Sequence, residues 1–482
     1  MTTALVAGAA FAWWSSLVPS RYSVMDMGVV ELGGAVAAAD HGDVHGGSDA
    51  TSVADLTGPQ EPAPDAAFTL TAGRGSFRLD SGEQVEGYTL DGSSPGPELR
   101  VRQGDLVEVT LVNDSVPDGV TLHWHGVDVP NAEDGVAGVT QDAVPAGGRH
   151  VYRFVAEDAG SYWYHSHQVA HEQVRGGLFG VLVIEPAGTA APDDVVAAVH
   201  TYRGLRAISG RTGTTSMPAA PGETRRVRLV NTDPSPLKAW VSGAPFRVLA
   251  VDGRDVVGPE PVRDELLLLA AGGRLDLELT APTDGSAVRL DVGGGTALVL
   301  GPPGEEGEPA PEPEERLDLL SYGRPAPAPF DADEADRRFD YRIGRRPGLI
   351  DGRPGFWWTV NGRHFPDVPM YVVEQDDVVR MSIRNDSGDV HPMHLHGHHA
   401  LVLSRDGVEA TGSPWWVDSL HVADGESYEI AFVADNPGVW MDHCHDLQHA
   451  SDGLVAHLAY EGVHTPYLVG AEVGGGAENT PE

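Results

Sequence analysis

The sequence predicts an all-β protein built of β-sandwich or barrel domains. Three observations carry this reading: short alternating segments, dense turn residues, and one segment that recurs. In "RQGDLVEVTLVNDS" (102–115), Val107, Val109 and Leu111 alternate with Glu108, Thr110 and Val112. A period of two sends successive side chains to opposite faces, as in a half-buried strand. Gly, Pro, Asn and Asp separate such segments, and long helical periodicity is scarce. A length of 482 residues allows two to four domains, and 41% hydrophobic content suffices for their cores.

Repetition orders the domains. "QGDLVEVTLVNDS" (103–115) aligns without a gap with "QDDVVRMSIRNDS" (375–387). Each leads to a histidine cluster, "HWHG" (123–126) or "HPMHLHG" (391–397), and later to "HSH" (165–167) or "HCH" (443–445). Residues 68–187 and 345–465 therefore read as two copies of one β-domain. A fainter copy occupies 188–301, where "TRRVRLVNTD" (224–233) and "AAGGRLDLEL" (270–279) recur. It has "KAWVSG" (238–243) where histidines would follow, so it keeps the scaffold and lacks the ligands. Residues 302–344 read as a linker that opens with "PPGEEGEPAPEPEE". Residues 22–67 read as a second linker, with "MDM" (25–27) and "HGDVH" (41–45), and 466–482 as a tail.

Residues 1–20 carry no charged side chain, and Arg21 is the first charge. No basic segment precedes them, as a standard secretory signal would require. The expectation for 1–21 is a membrane anchor or an atypical export signal. This makes the expected location extracytoplasmic, either secreted or attached to a membrane at the cell envelope. The net charge of -39 argues against a nucleic-acid partner, because a polyanion would be repelled, and leaves cationic substrates open. The single cysteine, Cys444, excludes an intrachain disulfide.

Ten of the 21 histidines fall in four short clusters: His123 and His125; His165 and His167; His391, His394 and His396; His443, His445 and His449. A lone buried histidine is usually a satisfied core residue. Four clusters in two matched domains, one enclosing the only cysteine, point to metal ligation instead. A thiolate with two imidazoles suits a blue-copper site, and Cys444 with His391 and His449 supplies that set. Position 454, ten after the cysteine, often carries a weak methionine ligand. Here it is Leu454, an axial non-ligand that leaves the metal three-coordinate and raises its potential. The remaining eight histidines are too many for one mononuclear site. On an extended segment His443 and His445 point away from Cys444, so one triplet serves two metal sites.

"HWHG", "YWYHSHQ", "HPMHLHGH" and "HCHDLQHASDGL" resemble the four copper-binding motifs of multicopper oxidases, specifically three-domain laccases. The resemblance covers about residues 68–465 and implies three cupredoxin-like Greek-key domains holding four copper ions. It implies a type 1 copper at His391, Cys444 and His449, and a type 2 copper at His123 and His394. It assigns His125, His165, His167, His396, His443 and His445 to a type 3 pair. It further implies that substrate electrons enter at the type 1 site, where Cys444 and His449 would be catalytic, and that dioxygen is reduced to water at the trinuclear cluster. Asp134, in "NAEDG", matches the family's acidic residue near the type 2 copper and is the expected proton relay. Its alternative is a turn-stabilising aspartate before Gly135. A second carboxylate that some bacterial members place after the last histidine is here Ala450, which leaves open a single-carboxylate relay or one that uses Asp446 or Asp452.

The implied substrates are phenols or aromatic amines, with dioxygen. Metal ions such as Cu(I) are the alternative, although the eight methionines form no block like those of cuprous oxidases in this family. Copper nitrite reduction and copper binding without turnover are the remaining readings. His398 and His399 read as residues that support the ligands from behind or line the rim, and His171, His421 and His457 have no matched partner.

Overall fold

The computed structural model describes residues 5–8, 50–188, 194–350 and 353–482. Apart from residues 5–8, the anchor or signal expected at 1–21 lies outside the described residues, as do the groups at 25–27 and 41–45. No described helix is long and apolar enough to cross a membrane.

Three pairs of β-sheets follow one another along the chain. In each, a first strand pairs parallel to a second, and the second pairs antiparallel to a third. The first set is Ala66–Arg78, Leu106–Asn113 and Arg149–Val155. The middle set is Asp194–Tyr202, Thr224–Asn231 and Arg274–Thr280. The last is Arg337–Ile350, Val378–Asn385 and Ser427–Val433. The recurring segments thus hold equivalent places in all three, including the faint copy.

The shared asparagine explains why the segment recurs. Asn113 is fully buried; its amide donates to the Val116 and Val144 carbonyls, and its side-chain oxygen accepts from Val116 N–H. Asn385 does the same with Asp389, Val422 and Ser387. Asn231 does so with Ser235, Leu269, Ala270 and Asp233. One side chain therefore satisfies the open backbone where each strand ends, which is needed because buried polar groups must be paired.

The second sheets carry the histidine motifs, again in one register. His123 sits opposite His165, and His394 opposite His443. Apolar packing joins the units: Trp163 and Phe179 of the first pack with Ala198, Tyr202 and Val230 of the middle and with Leu447 of the last.

The segments read as linkers and tail are more structured than expected. The strand Arg337–Ile350 begins inside 302–344, and Leu317, Leu320 and Tyr322 of that segment are buried. The end of the segment at 22–67 forms a short parallel bridge, Thr51–Ser52 with Val463–His464. The Pro- and Glu-rich composition of 302–315 concealed this, because its docking uses backbone: Trp240 and Ser242 donate to the Ala310 and Glu308 carbonyls.

Replacing Asn113 or Asn385 by Ala strips partners from buried carbonyls and an N–H, at about 1–3 kcal/mol for each group left unsatisfied. Calorimetry of either variant is expected to show a lower unfolding temperature; an unchanged one would contradict this role.

Candidate metal centre

Cys444 ends the strand Val439–Cys444, and its N–H donates to the Leu454 carbonyl at 3.1 Å. Its Sγ lies 3.5 Å from His391 Nδ1 and 3.8 Å from His449 Nδ1. His391 Nε2 engages Ser387 Oγ at 2.8 Å, which leaves Nδ1 free to face the sulfur. His449 comes from the short helix Leu447–Ser451, capped by Asp446. The Trp358 ring packs against both imidazoles, at 4.7 and 4.4 Å, under the Arg345 guanidinium at 3.8 Å. Burial lifts the Cys444 thiol well above its ordinary pKa, and burial with His449 lowers His391 to about 3. A cation bound there would favour the thiolate and use the unprotonated His391 imidazole directly. Of Cys444, His391 and His449, only His449 reaches solvent, at 16% exposure.

The other eight histidines converge between the first and last units, all buried. Their ligand atoms form three groups: His123, His125 and His394; His125, His165 and His445; His167, His396 and His443. Burial first, then neighbouring imidazoles, holds His125, His165, His167, His394, His396 and His445 well below the ordinary histidine pKa. The same causes take His443 to about 3. Bare nitrogens then face each other: His123 and His394 Nε2 at 3.3 Å, His396 and His443 Nε2 at 3.1 Å. His125 Nδ1, His165 Nε2 and both nitrogens of His445 have no hydrogen-bond partner. Facing lone pairs repel, and an unpaired buried nitrogen costs about 1–3 kcal/mol. Cations between them would remove both penalties, so the residues fit metal ions. Imidazole with one thiolate suits copper.

Outer groups set which nitrogen is bare in six of the eight rings, His167 and His445 being the exceptions. Asp134 accepts from His123 Nδ1 at 3.0 Å and from His396 Nδ1 at 3.0 Å. It is held by the turn into Gly135, whose φ of 76° favours glycine and where a Cβ would sit 1.8 Å from the Leu122 carbonyl oxygen. Its place before Gly135 is that of a turn residue, and its carboxylate is turned to two imidazoles. The His394 Nδ1–H donates to the Asp418 carbonyl at 2.8 Å, and His125 Nε2 lies 2.9 Å from Ser419 Oγ. His165 and His443 each donate from Nδ1 to the next residue's and Cys444's carbonyl, at 3.0 and 3.1 Å.

The two copies differ where the sulfur is missing. Ser166 donates to Gln173 Oε1 at 2.7 Å, and so points at a polar partner. Val120 stands where His391 does, three residues before the paired histidine. His171 does have a counterpart, contrary to the sequence reading. It lies on the helix Ala170–Gln173 after "HSH", as His449 lies on the helix after "HCH". The tail also reaches the nest. Glu482 Oε1 lies 3.1 Å from His443 Nδ1, and burial raises its carboxyl pKa well above the ordinary value. Asn479 and Thr480 anchor the segment to Ala143 and Gln168.

Asp446 and Asp452 stay on the helix at the thiol site, as its N-cap and C-cap. His398 bridges the His396 carbonyl and Tyr460 hydroxyl; His399 lies among Asp128, the Asp252 carbonyl and Asp418. Asp418, Ser419 and Glu482 were missed from sequence. "WWVDSL" has no ligand spacing, and Glu482 is remote from every motif.

Residues 71–189 and 339–462 each match a family described as "Multicopper oxidase". The chain is 28% identical over 464 residues to Laccase-1 of Melanocarpus albomyces, covering 76% of this chain and 73% of that one. It is 24% identical over 510 residues to Multicopper oxidase MmcO of Mycobacterium tuberculosis, covering 92% and 96%. It is 25% identical over 484 residues to Iron transport multicopper oxidase FET3 of Kluyveromyces lactis, covering 81% and 75%. The solved multi-copper oxidase from Pseudomonas Thermotolerans superposes with a TM-score of 0.69 at 28% identity, covering 83% of this chain and all (100%) of that one.

Replacing Asp134 by Ala removes the acceptor shared by His123 and His396. The expected result is a roughly 10–100-fold loss of metal affinity or turnover. Metal content after dialysis against a graded chelator checks it, and Asp134→Asn should lose less.

Proposed function

Because this chain belongs to the multicopper oxidase family and is an oxidase, we propose that it is laccase-like, oxidising phenols or aromatic amines with dioxygen as acceptor. We assign four coppers to it. The type 1 site is His391, Cys444 and His449; type 2 is His123 and His394. Type 3 is the pair of triads His125, His165, His445 and His167, His396, His443. The observation that carries the reading is the joint between them: one cysteine, with a histidine of each type 3 triad on either side of it in the chain.

Bound copper supplies one-electron oxidation of the substrate at the thiolate site and four-electron reduction of dioxygen to two waters at the nest. The chain supplies the rest. His449 is the one ligand of the thiolate site with an exposed edge, so a substrate meets the site there. Peptide links from Cys444 to His443 and His445 make a short covalent path inward. A second path crosses the His443 Nδ1–H bond to the Cys444 carbonyl. Asp134 keeps the His123 and His396 tautomers that aim Nε2 inward, and we assign it to proton delivery. Leu454, buried and bonded through its carbonyl to the Cys444 N–H, would be an apolar neighbour of a copper held there.

Metal-ion oxidation is the second reading. Asp446 Oδ2 lies 3.8 Å from His449 Nε2, a carboxylate at the entry edge that suits a cation. The eight methionines without a block favour organic substrates over Cu(I).

Copper-loaded protein is expected to show an intense band at about 600 nm and phenol-dependent oxygen uptake. Faster uptake with Cu(I) or Fe(II) than with any phenol would favour the second reading; a colourless, fully loaded protein would sink both. Cys444→Ser should abolish the band and turnover while retaining copper at the nest. Leu454→Met should lower the type 1 potential in a redox titration, because it adds a donor to a three-coordinate site.

A further inference from the structure

The middle unit contributes no ligand, yet one of its side chains reaches the nest. Arg274 opens the strand Arg274–Thr280, and its side chain is only 1% exposed. A buried guanidinium is costly unless its donors are matched. Its fork meets the Asp418 carboxylate at 2.6 and 2.5 Å, and its Nε donates to the Ser161 carbonyl at 3.1 Å. Asp252, also from the middle unit, accepts from Arg274 N–H at 2.8 Å and from the N–H groups of Asp418 and Ser419 at 3.2 Å. The middle unit therefore grips both the side chain and the backbone of the Asp418–Ser419 pair.

That pair faces two imidazoles. Asp418 Oδ1 is 3.2 Å and Ser419 Oγ 2.9 Å from His125 Nε2, and the Ser419 hydroxyl donates to Asp418 Oδ1. The Asp418 carbonyl holds His394 Nδ1 at 2.8 Å. With Nε2 occupied, His125 has only Nδ1 to offer, and that nitrogen is the unpartnered one. His125 belongs to two of the three ligand groups. The turn before Arg274 also presses on it: a Cβ at Gly272 would lie 2.6 Å from His125 Cε1.

We propose that Arg274 is a positioning residue of the trinuclear site. It holds Asp418 so that His125 presents Nδ1 and His394 presents Nε2, and the ligand-free unit is retained in part to supply it. The proposal rests on the copper reading above. Its alternative is a staple between units, and the same sheet contains one for comparison. Arg228 is equally buried and pairs with Asp194 and Asp276, yet no imidazole touches either carboxylate, whereas Asp418 touches His125 and His394.

The test compares Arg274→Lys, Arg274→Met and Arg228→Lys, each loaded with copper. Copper per chain, the visible band, the type 2 paramagnetic resonance spectrum, the unfolding temperature and kcat against KM are measured. Both Arg274 variants should keep the type 1 band and the KM for reducing substrate. They should change the type 2 hyperfine pattern or lose nest copper, and lose about 10–100-fold in kcat, with Lys milder than Met. Arg228→Lys should lower the unfolding temperature with an unchanged type 2 spectrum. Identical type 2 spectra and copper content in Arg274→Lys and Arg228→Lys would overturn the proposal, since Arg274 would then be a staple. If the Arg274 variants do not fold, Ser419→Ala serves. It leaves the ion pair in place and removes the hydroxyl from His125 Nε2, so it should lower the copper held by the histidine cluster, and unchanged copper per chain would overturn the proposal. A colourless native protein would strike the copper reading instead, so the two failures are distinguishable.

Discussion

Everything in this molecule depends on burying eight imidazoles with their ring nitrogens turned toward one another. Facing nitrogens at 3.1–3.3 Å repel each other without cations between them. The rings are held there by the scaffold and not by mutual attraction. That is a demand for rigidity, and two β-sheets in matching register meet it. His123 opposite His165 and His394 opposite His443 are fixed by ladder hydrogen bonds, not by side-chain preference.

A second layer then removes the remaining freedom of four of the rings, His123, His125, His394 and His396. Asp134, Asp418 and Ser419 occupy the nitrogens that must stay protonated, so the others stay bare. These partners come from the first and last units, and Asp252 and Arg274 of the middle unit hold the last unit's pair in place. An imidazole aimed by a carboxylate that is itself aimed by a guanidinium has little room to turn. This explains why a unit with "KAWVSG" in place of histidines can still matter to the metal site.

The first and last units are copies that have diverged in chemistry while keeping geometry. The helix after "HSH" survives with His171 on it, but Ser166 has turned to Gln173 and Val120 replaces the counterpart of His391. Both units still aim histidines at the shared nest. Only the last keeps a sulfur with two imidazoles beside it, and only His449 among those three has an exposed edge.

Much of this was legible in the sequence, for a physical reason. Strand alternation, the recurring asparagine segment and the H-x-H spacings are local patterns, and local patterns survive in one dimension. They determined the all-β class, the three related units, the ligand types and the separation of Cys444 from its flanking histidines. The tertiary structure alone decided the groups that aim the ligands. Asp418 lies 24 residues from His394 and Arg274 lies 144 from Asp418, with no spacing rule between them. The tail's Glu482 and the docked backbone of 302–315 were hidden likewise, since polar composition does not reveal which polar groups become buried. Ligand identity follows from side-chain chemistry, which a sequence states directly; orientation follows from hydrogen bonds across units, which exist only once the chain has folded.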